Sequence, residues 1–334
     1  MRRRDFLRMA GLAAGGASLV PWGGLAAWAN EVDGFLRGPA VKDYPLRQLS
    51  PHVWAIIAPD GFPTPENRGM MCNLVFVDTP EGLLVVDTGA SVQIGEMAIR
   101  QLKRQFGKPV IAAFNTHYHG DHFLGNAAFT AAFPGVPIYA HPQTIQAIAG
   151  VQGDLWRRLM EQWTNQASLG TEVVVPTTPV THGEELRYGK LLIRIHHYGV
   201  AHTPADICIE VVDDALVCVG DVAMDRRIAN MDDGSYRGTL DTYRQLEKNT
   251  RTKIWVPGHG QPGAGVIAWN RELFEGIYQS CERAVADDLP LAEAKARVLS
   301  DRRVASRAAE TKGFDANIGK YVSLAYLEAE AAAF

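Results

Sequence analysis

The run His117-Tyr118-His119-Gly120-Asp121-His122 follows directly on the apolar stretch PVIAAFNT (109–116), and this junction decides how the rest of the chain reads. A short run rich in β-branched and apolar residues is the pattern of a buried strand. At a strand's end the backbone leaves its strict alternation, so neighbouring side chains can turn toward one point. Here that point is offered His117, His119, Asp121 and His122. Imidazole and carboxylate donors without thiolates suit zinc or iron in an open site and disfavour a purely structural zinc. A lone H-x-H is common, whereas H-x-H-x-D-H is restrictive. Further candidate ligands follow in order: His202 in AHTPAD (201–206), Asp221 closing the apolar run ALVCVGD (215–221), and His259 in the glycine turn PGHG (257–260). The remaining histidines, His52, His141, His182, His196 and His197, carry no such pattern and read as surface or satisfied core residues.

Working outward, strands are predicted at VWAII (53–57), NLVFVD (73–78) and GLLVVDTG (82–89), with a loop rich in Pro and Gly at 58–71 between the first two. Apolar residues at helical spacing predict a helix over 91–106, a second over 122–133, and a strand at 137–140. The stretch 152–168 places Leu155, Trp156, Leu159, Met160 and Trp163 on one stripe, read as core packing, with a lid over the site as the alternative. Strands resume at TEVVVP, KLLIRIHHYG, DICIEVV, ALVCVGD and KIWVPGHG. The polar stretch 230–243 reads as pocket-facing from Asn230 to Tyr236, with Thr239 capping a helix that starts at Leu240. Residues beyond about 265 are helical in pattern, interrupted at Pro290 and Gly313. Such a β–helix–β rhythm belongs to a layered architecture with a packed sheet core.

With 334 residues, 47% apolar and 21% charged, disorder and fibrous architectures are excluded. A net charge of −4 argues against nucleic-acid binding through a basic surface. Four cysteines are too few for a disulfide scaffold. If Asp213-Asp214 forms a hairpin turn, Cys218 faces Ile209 rather than Cys208, so free thiols are expected. At the N-terminus, Arg3-Arg4-Asp5-Phe6-Leu7 resembles the twin-arginine export consensus. It precedes a weakly apolar Gly/Ala-rich stretch and Ala27-Trp28-Ala29, an A-x-A cleavage pattern. Residues 1–29 are therefore expected to be a twin-arginine signal peptide for export to the periplasm, leaving no membrane span in the mature form. Residues 30–49 read as an extended arm, 50–265 as the main domain and 266–334 as a helical extension.

In combination, these motifs resemble the metallo-β-lactamase fold superfamily of hydrolases over residues 50–265. The resemblance implies an α+β chain folded as a four-layer αββα sandwich, with the C-terminal helices packed on it. It implies two zinc ions, iron and manganese also suiting these donors: one held by His117, His119 and His202, the other by Asp121, His122 and His259, with Asp221 bridging. Asp87, in VVDTGA, matches an acidic residue that orients a ligand histidine, and Asp206 is expected to support the ligand loop in the same way. The implied chemistry is a metal-bridging hydroxide attacking a small-molecule ester, thioester or amide, with Asp121 accepting or steering the proton. Phe62, Met70 and Asn230 are the expected substrate contacts, on two segments beside the site. Ala205 departs from the family, which often has Gly there. Asp221, where one lactamase class has Cys, disfavours β-lactams, and His119, where flavin-linked diiron proteins have Glu, disfavours that group. The export signal and NIGKYVSLAYLEAE (317–330) are similar to exported hydrolases encoded beside sulfur-oxidation or quinoprotein dehydrogenase systems. A β-lactamase, a mononuclear-iron persulfide dioxygenase and a non-catalytic metal-binding partner stay open as alternatives, and the sequence leaves oligomeric state undetermined.

Overall fold

A computed structural model of the protein describes residues 37–59 and 61–333; the expected signal peptide and residues 30–36 of the arm lie outside the described residues. Two sheets form the centre. The first has seven strands in sequential order: β1 Leu46–Gln48, β2 Val53–Ile56, β3 Leu74–Asp78, β4 Leu83–Val86, β5 Val110–Phe114, β6 Ile138–Ala140 and β7 Thr178–Pro179. Pairing is antiparallel through β4 and parallel from β4 to β7. The second sheet comprises β8 Glu185–Tyr188, β9 Leu191–His196, β10 Cys208–Val211, β11 Leu216–Gly220 and β12 Ile254–Pro257, with β11 and β12 parallel and the rest antiparallel.

Strand alternation dictates the layers. In β4, Leu84 and Val86 join Phe114, Ile193, Ile209 and Cys218 in the core between the sheets, while Leu83 and Val85 face outward. In β11, Val217 and Val219 face the opposite outer layer. Helices therefore cover both outer faces. On the first sheet lie α1 Val92–Gln105, α2 Gly120–Phe123 and α3 Asn126–Ala132; α4 Pro142–Ala147 and α5 Gly153–Trp163 follow β6. On the second lie α6 Tyr236–Asn249, α7 Val266–Ala286, α8 Leu291–Ser300, α9 Arg302–Ala308 and α10 Phe314–Ala333. This is the αββα sandwich. Each fully buried side chain of the Val, Leu or Phe type contributes about 1.5–3 kcal/mol, and three such clusters hold the layers in register.

Local departures from the sequence reading have identifiable causes. The helix expected over 122–133 is two helices, because Gly125 abuts the chain after β4. A Cβ on Gly125 would lie 2.0 Å from the Thr88 carbonyl oxygen, and its N–H donates to the Gly89 carbonyl at 2.8 Å. TEVVVP forms no strand. Val173, Val174 and Val175 instead pack as irregular chain against the first outer core, Asn126 Nδ2 donating to the Val174 carbonyl at 3.1 Å. Helix α6 starts at Tyr236 rather than at Leu240: Ser235 is the cap, its hydroxyl accepting the Gly238 N–H at 2.9 Å. The hairpin register sets Cys218 opposite Ile209, as Asp213-Asp214 implied, and all four cysteines are free and buried. Among the described residues, no helix is long and apolar enough to cross a membrane.

Candidate metal centre

The site lies where strands end. After β4, Asp87 takes a left-handed backbone (φ 59°), uncommon for a non-glycine residue. This turns its carboxylate toward the end of β5, where it accepts the Thr116 N–H (2.8 Å) and hydroxyl (2.9 Å) and meets His122 Nδ1 at 2.7 Å. His117 to His119 then run irregularly into α2, whose first turn carries Asp121. Asp221 follows β11 and His259 follows β12, the parallel neighbours that bring the two together.

All seven candidate ligands converge. His117, His119, His202 and Asp221 form one buried group, and Asp121, His122, Asp221 and His259 a second; within each, one ligand atom per residue lies within 4.8 Å of the others. Asp221 belongs to both. Its Oδ2 stands 3.9 Å from His117 Nε2, 3.6 Å from His202 Nε2 and 3.3 Å from His259 Nε2, while Oδ1 stands 3.4 Å from His122 Nε2. Asp121 Oδ2 is 3.1 Å from His259 Nε2. His117 Nε2, His122 Nε2 and Asp221 Oδ1 are buried without a hydrogen-bond partner among the described residues. Buried polar atoms are rarely left so, and a cation is the partner that satisfies imidazole and carboxylate together. The donor set fits metal ions.

The far side of several of these rings is also arranged, whereas His202 Nδ1 is buried without a hydrogen-bond partner among the described residues. His117 Nδ1 meets the Thr116 hydroxyl at 3.0 Å and His259 Nδ1 the Met71 carbonyl at 2.9 Å. Tyr118 donates its hydroxyl to Asp233 at 2.9 Å, and that carboxylate lies 3.9 Å from His119 Nε2. Such partners fix ring orientation and tautomer. Asp206 supports the His202 loop by accepting the Thr203 N–H (2.7 Å) and hydroxyl (3.0 Å), and burial pushes its carboxyl up to about 7. Ala205, the departure from Gly, sits buried with its carbonyl accepting the Thr144 hydroxyl, so the turn accommodates the methyl. Cys72 Sγ lies 3.4 Å from His122 Nδ1, but Asp87 already occupies that nitrogen and burial raises the thiol pKa.

Electrostatics divide the two groups. Burial, reinforced by neighbouring imidazoles, holds His117 well below the ordinary histidine range and His202 down to about 3. Burial opposes charge on Asp121 and Asp221 as well, yet His122 and His259 outweigh it and keep both carboxyls well below their usual range. Burial likewise works against a charged His259, but Asp221 and Asp121 raise it to about 9. Neutral imidazole and ionised carboxylate are the forms that bind metals.

A family model described as "Metallo-beta-lactamase superfamily" matches residues 67–259, which run through the whole ligand set. The chain belongs to the metallo-β-lactamase superfamily. Among solved structures, "Metallo-beta-lactamase from Pontibacter korlensis" shares 19% identity at a TM-score of 0.56, covering 69% of this chain and 98% of that one, a likeness of fold. Among curated proteins, "Linear primary-alkylsulfatase" of Pseudomonas sp. is 24% identical over 63% of this chain and 44% of its own length. "Hydroxyacylglutathione hydrolase" of Gloeobacter violaceus is 37% identical over 20% of this chain and 26% of its own. The chain thus spans less than half the length of either curated relative.

In this superfamily member His119, Asp121, His202, Asp221 and His259 floor a cavity of about 360 Å³. Phe62, 67% exposed, stands at its mouth, and Asn230 lines it. Met70 does not: it is 1% exposed and packs into the first outer core, while Met71 lines the cavity in its place. The stripe on α5 is also corrected. Only Met160 is buried, Leu155 is exposed, and Trp156, Met160 and Trp163 wall the cavity. Sequence reasoning missed Arg227, Lys312, Lys320 and Tyr321, all of which line it. The last three lie too far from any ligand in sequence to give a signal. The other five histidines sit outside both ligand groups; His52 pairs with Asp214 and His196 with Glu210, each through a ring nitrogen.

Proposed function

We propose that the protein is an exported, periplasmic dinuclear-zinc hydrolase that cleaves a small ester, thioester or amide. The observation that carries the reading is Asp221 shared between two buried four-residue His/Asp groups at the floor of a cavity lined by both aromatic and basic side chains. The twin-arginine-like start, Arg3-Arg4-Asp5-Phe6-Leu7, supports export. The names of the curated relatives, an alkylsulfatase and a hydroxyacylglutathione hydrolase, support a hydrolytic reaction on a small molecule.

His117, His119 and His202 would hold one ion, Asp121, His122 and His259 the other, and Asp221 both. When bound, such a pair supplies Lewis acidity and water activation near neutral pH. The chain's own contribution is orientation and proton handling. Asp87, Thr116 and the Met71 carbonyl fix the ligand rings. The Asp121 carboxylate, ionised and facing the cavity floor, accepts the proton lost by the attacking water and passes it toward the leaving atom. Trp156, Trp163 and Phe62 exclude bulk water and pack the substrate's apolar part.

The test is metal analysis followed by turnover of an aryl acetate, an acyl thioester and nitrocefin. We expect two zinc ions per chain, ester or thioester turnover abolished by chelation, and nitrocefin near background. An Asp121→Ala variant is expected to lose at least about 100-fold. One iron per chain with oxygen uptake on glutathione persulfide would overturn the reading, as would turnover that survives chelation.

A further inference from the structure

His259 reaches its group by a different route from the other ligands. Asp121 and His122 follow β5 of the first sheet, and Asp221 follows β11 inside the second. His259 follows β12, the strand at the end of the second sheet's order. The ladder between β11 and β12 stops at Pro257, and beyond it the Gly258 N–H donates to the Gly220 carbonyl at 2.8 Å. The turn 257–260 that carries the ring is buried, so its carbonyls need partners.

A residue of the other sheet supplies most of them. Asn73, directly before β3 and 2% exposed, donates its N–H to the Gly258 carbonyl at 2.7 Å. Its Nδ2 hydrogens go to the Pro257 and Gly260 carbonyls, each at 2.9 Å. The His259 carbonyl accepts the Asp225 N–H at 3.0 Å. Asn73 Oδ1 accepts the Ala58 N–H at 3.0 Å, and two residues earlier the Met71 carbonyl meets His259 Nδ1 at 2.9 Å. The amide is therefore used in full, with two donors facing carbonyls and the oxygen facing an N–H. One short segment grips the backbone of the turn and the ring it carries, and it holds both ends of the loop 58–71.

We propose that Asn73 is a positioning residue for the second ion group. By clamping the 257–260 turn of the second sheet to the start of β3 in the first, it sets His259 opposite Asp121 and His122. His259 Nε2 stands 3.1 Å from Asp121 Oδ2, and its ring lies 5.7 Å from that of His122. The amide touches no ion and no substrate; it acts through the turn. The proposal rests on the two-ion reading of the site.

The test is cadmium binding to the whole protein, read by cadmium NMR during competition with a graded chelator. Wild type is expected to show two resonances, one for each ion group, and His259→Ala identifies the second by removing it. In Asn73→Ala the second ion is expected to bind about 10–100-fold more weakly, the range for loss of a partner that orients a ligand. The first resonance stays as in wild type. Asn73→Ser has one hydrogen to donate in place of two and is expected to fall between; it carries the same test if the alanine variant does not fold. Glu328→Ala, which removes the acceptor at the start of α6, is the control for lost stability and is expected to keep both ions. Retention of both ions at wild-type affinity in the Asn73 variants overturns the proposal. So does equal weakening of both ions in a folded variant, the mark of general loosening. A single resonance in wild type overturns the two-ion reading and this proposal with it.

Discussion

Replacing Gly258 by Ala adds one methyl group, and the structure states where it goes. The new Cβ would lie 2.0 Å from Asp221 Oδ1 and 2.9 Å from His122 Cε1. Restoring an ordinary contact of about 3.4 Å demands that the carboxylate retreat by about 1.4 Å. Metal–ligand distances tolerate roughly ±0.2 Å, so Asp221 cannot serve both ion groups after such a move. Loss of an orienting partner alone costs about 10–100-fold in affinity, and moving a shared ligand is expected to cost at least that, about 1.4–2.8 kcal/mol. The assay is metal content by mass spectrometry after dialysis against graded chelator, with urea unfolding of the metal-free protein in parallel. Overpacking lowers stability by about 1–3 kcal/mol, which is separable from ion loss. Gly263→Ala is the control, since nothing lies within 4 Å of its added methyl. If Gly258→Ala holds two ions per chain with wild-type affinity, the placement of Asp221 over Gly258 is refuted.

Two further outcomes follow from the site and its support. The raised His259 means that in metal-free protein its proton stabilises the fold fully below about pH 6.5 and that this contribution is lost as pH rises through about 9. A metal ion competes for the same Nε2, so affinity of the Asp121/His122/His259 group is expected to rise with pH up to about 9. Titration calorimetry at pH 7 in buffers of differing ionisation enthalpy should register proton release, and heats independent of buffer would contradict the electrostatics. Glu328, on α10, accepts the Ser235 hydroxyl at 2.6 Å, the Tyr236 N–H at 2.7 Å and the Arg237 N–H at 3.2 Å, capping α6 from outside. Glu328→Ala is expected to lose about 1–2 kcal/mol of stability by urea unfolding, with Glu328→Gln intermediate; an unchanged midpoint would show that the cap contributes nothing.

The ligand set was legible in the chain because its chemistry is local. His117, His119, Asp121 and His122 are adjacent in sequence, and His202, Asp221 and His259 each stand at the end of, or in the turn after, an apolar strand run, where period-two patterning ceases. The same patterning announced β4, β5, α1 and most of the second sheet, since one-sided or two-sided burial imprints itself on successive residues. Other features depended on partners distant in sequence. Gly125 splits a helix because Thr88 presses on it, and Val173 to Val175 form no ladder because they pack on a helical layer instead. The α5 stripe looks like core but walls a cavity, and Met70 and Met71 exchange roles, because periodicity records apolar faces without saying what they face. The lysines at 312 and 320 give no signal at all. Their place beside the metal groups arises only when α10 docks across the second sheet, and such docking is a property of packed surfaces, not of any run of residues.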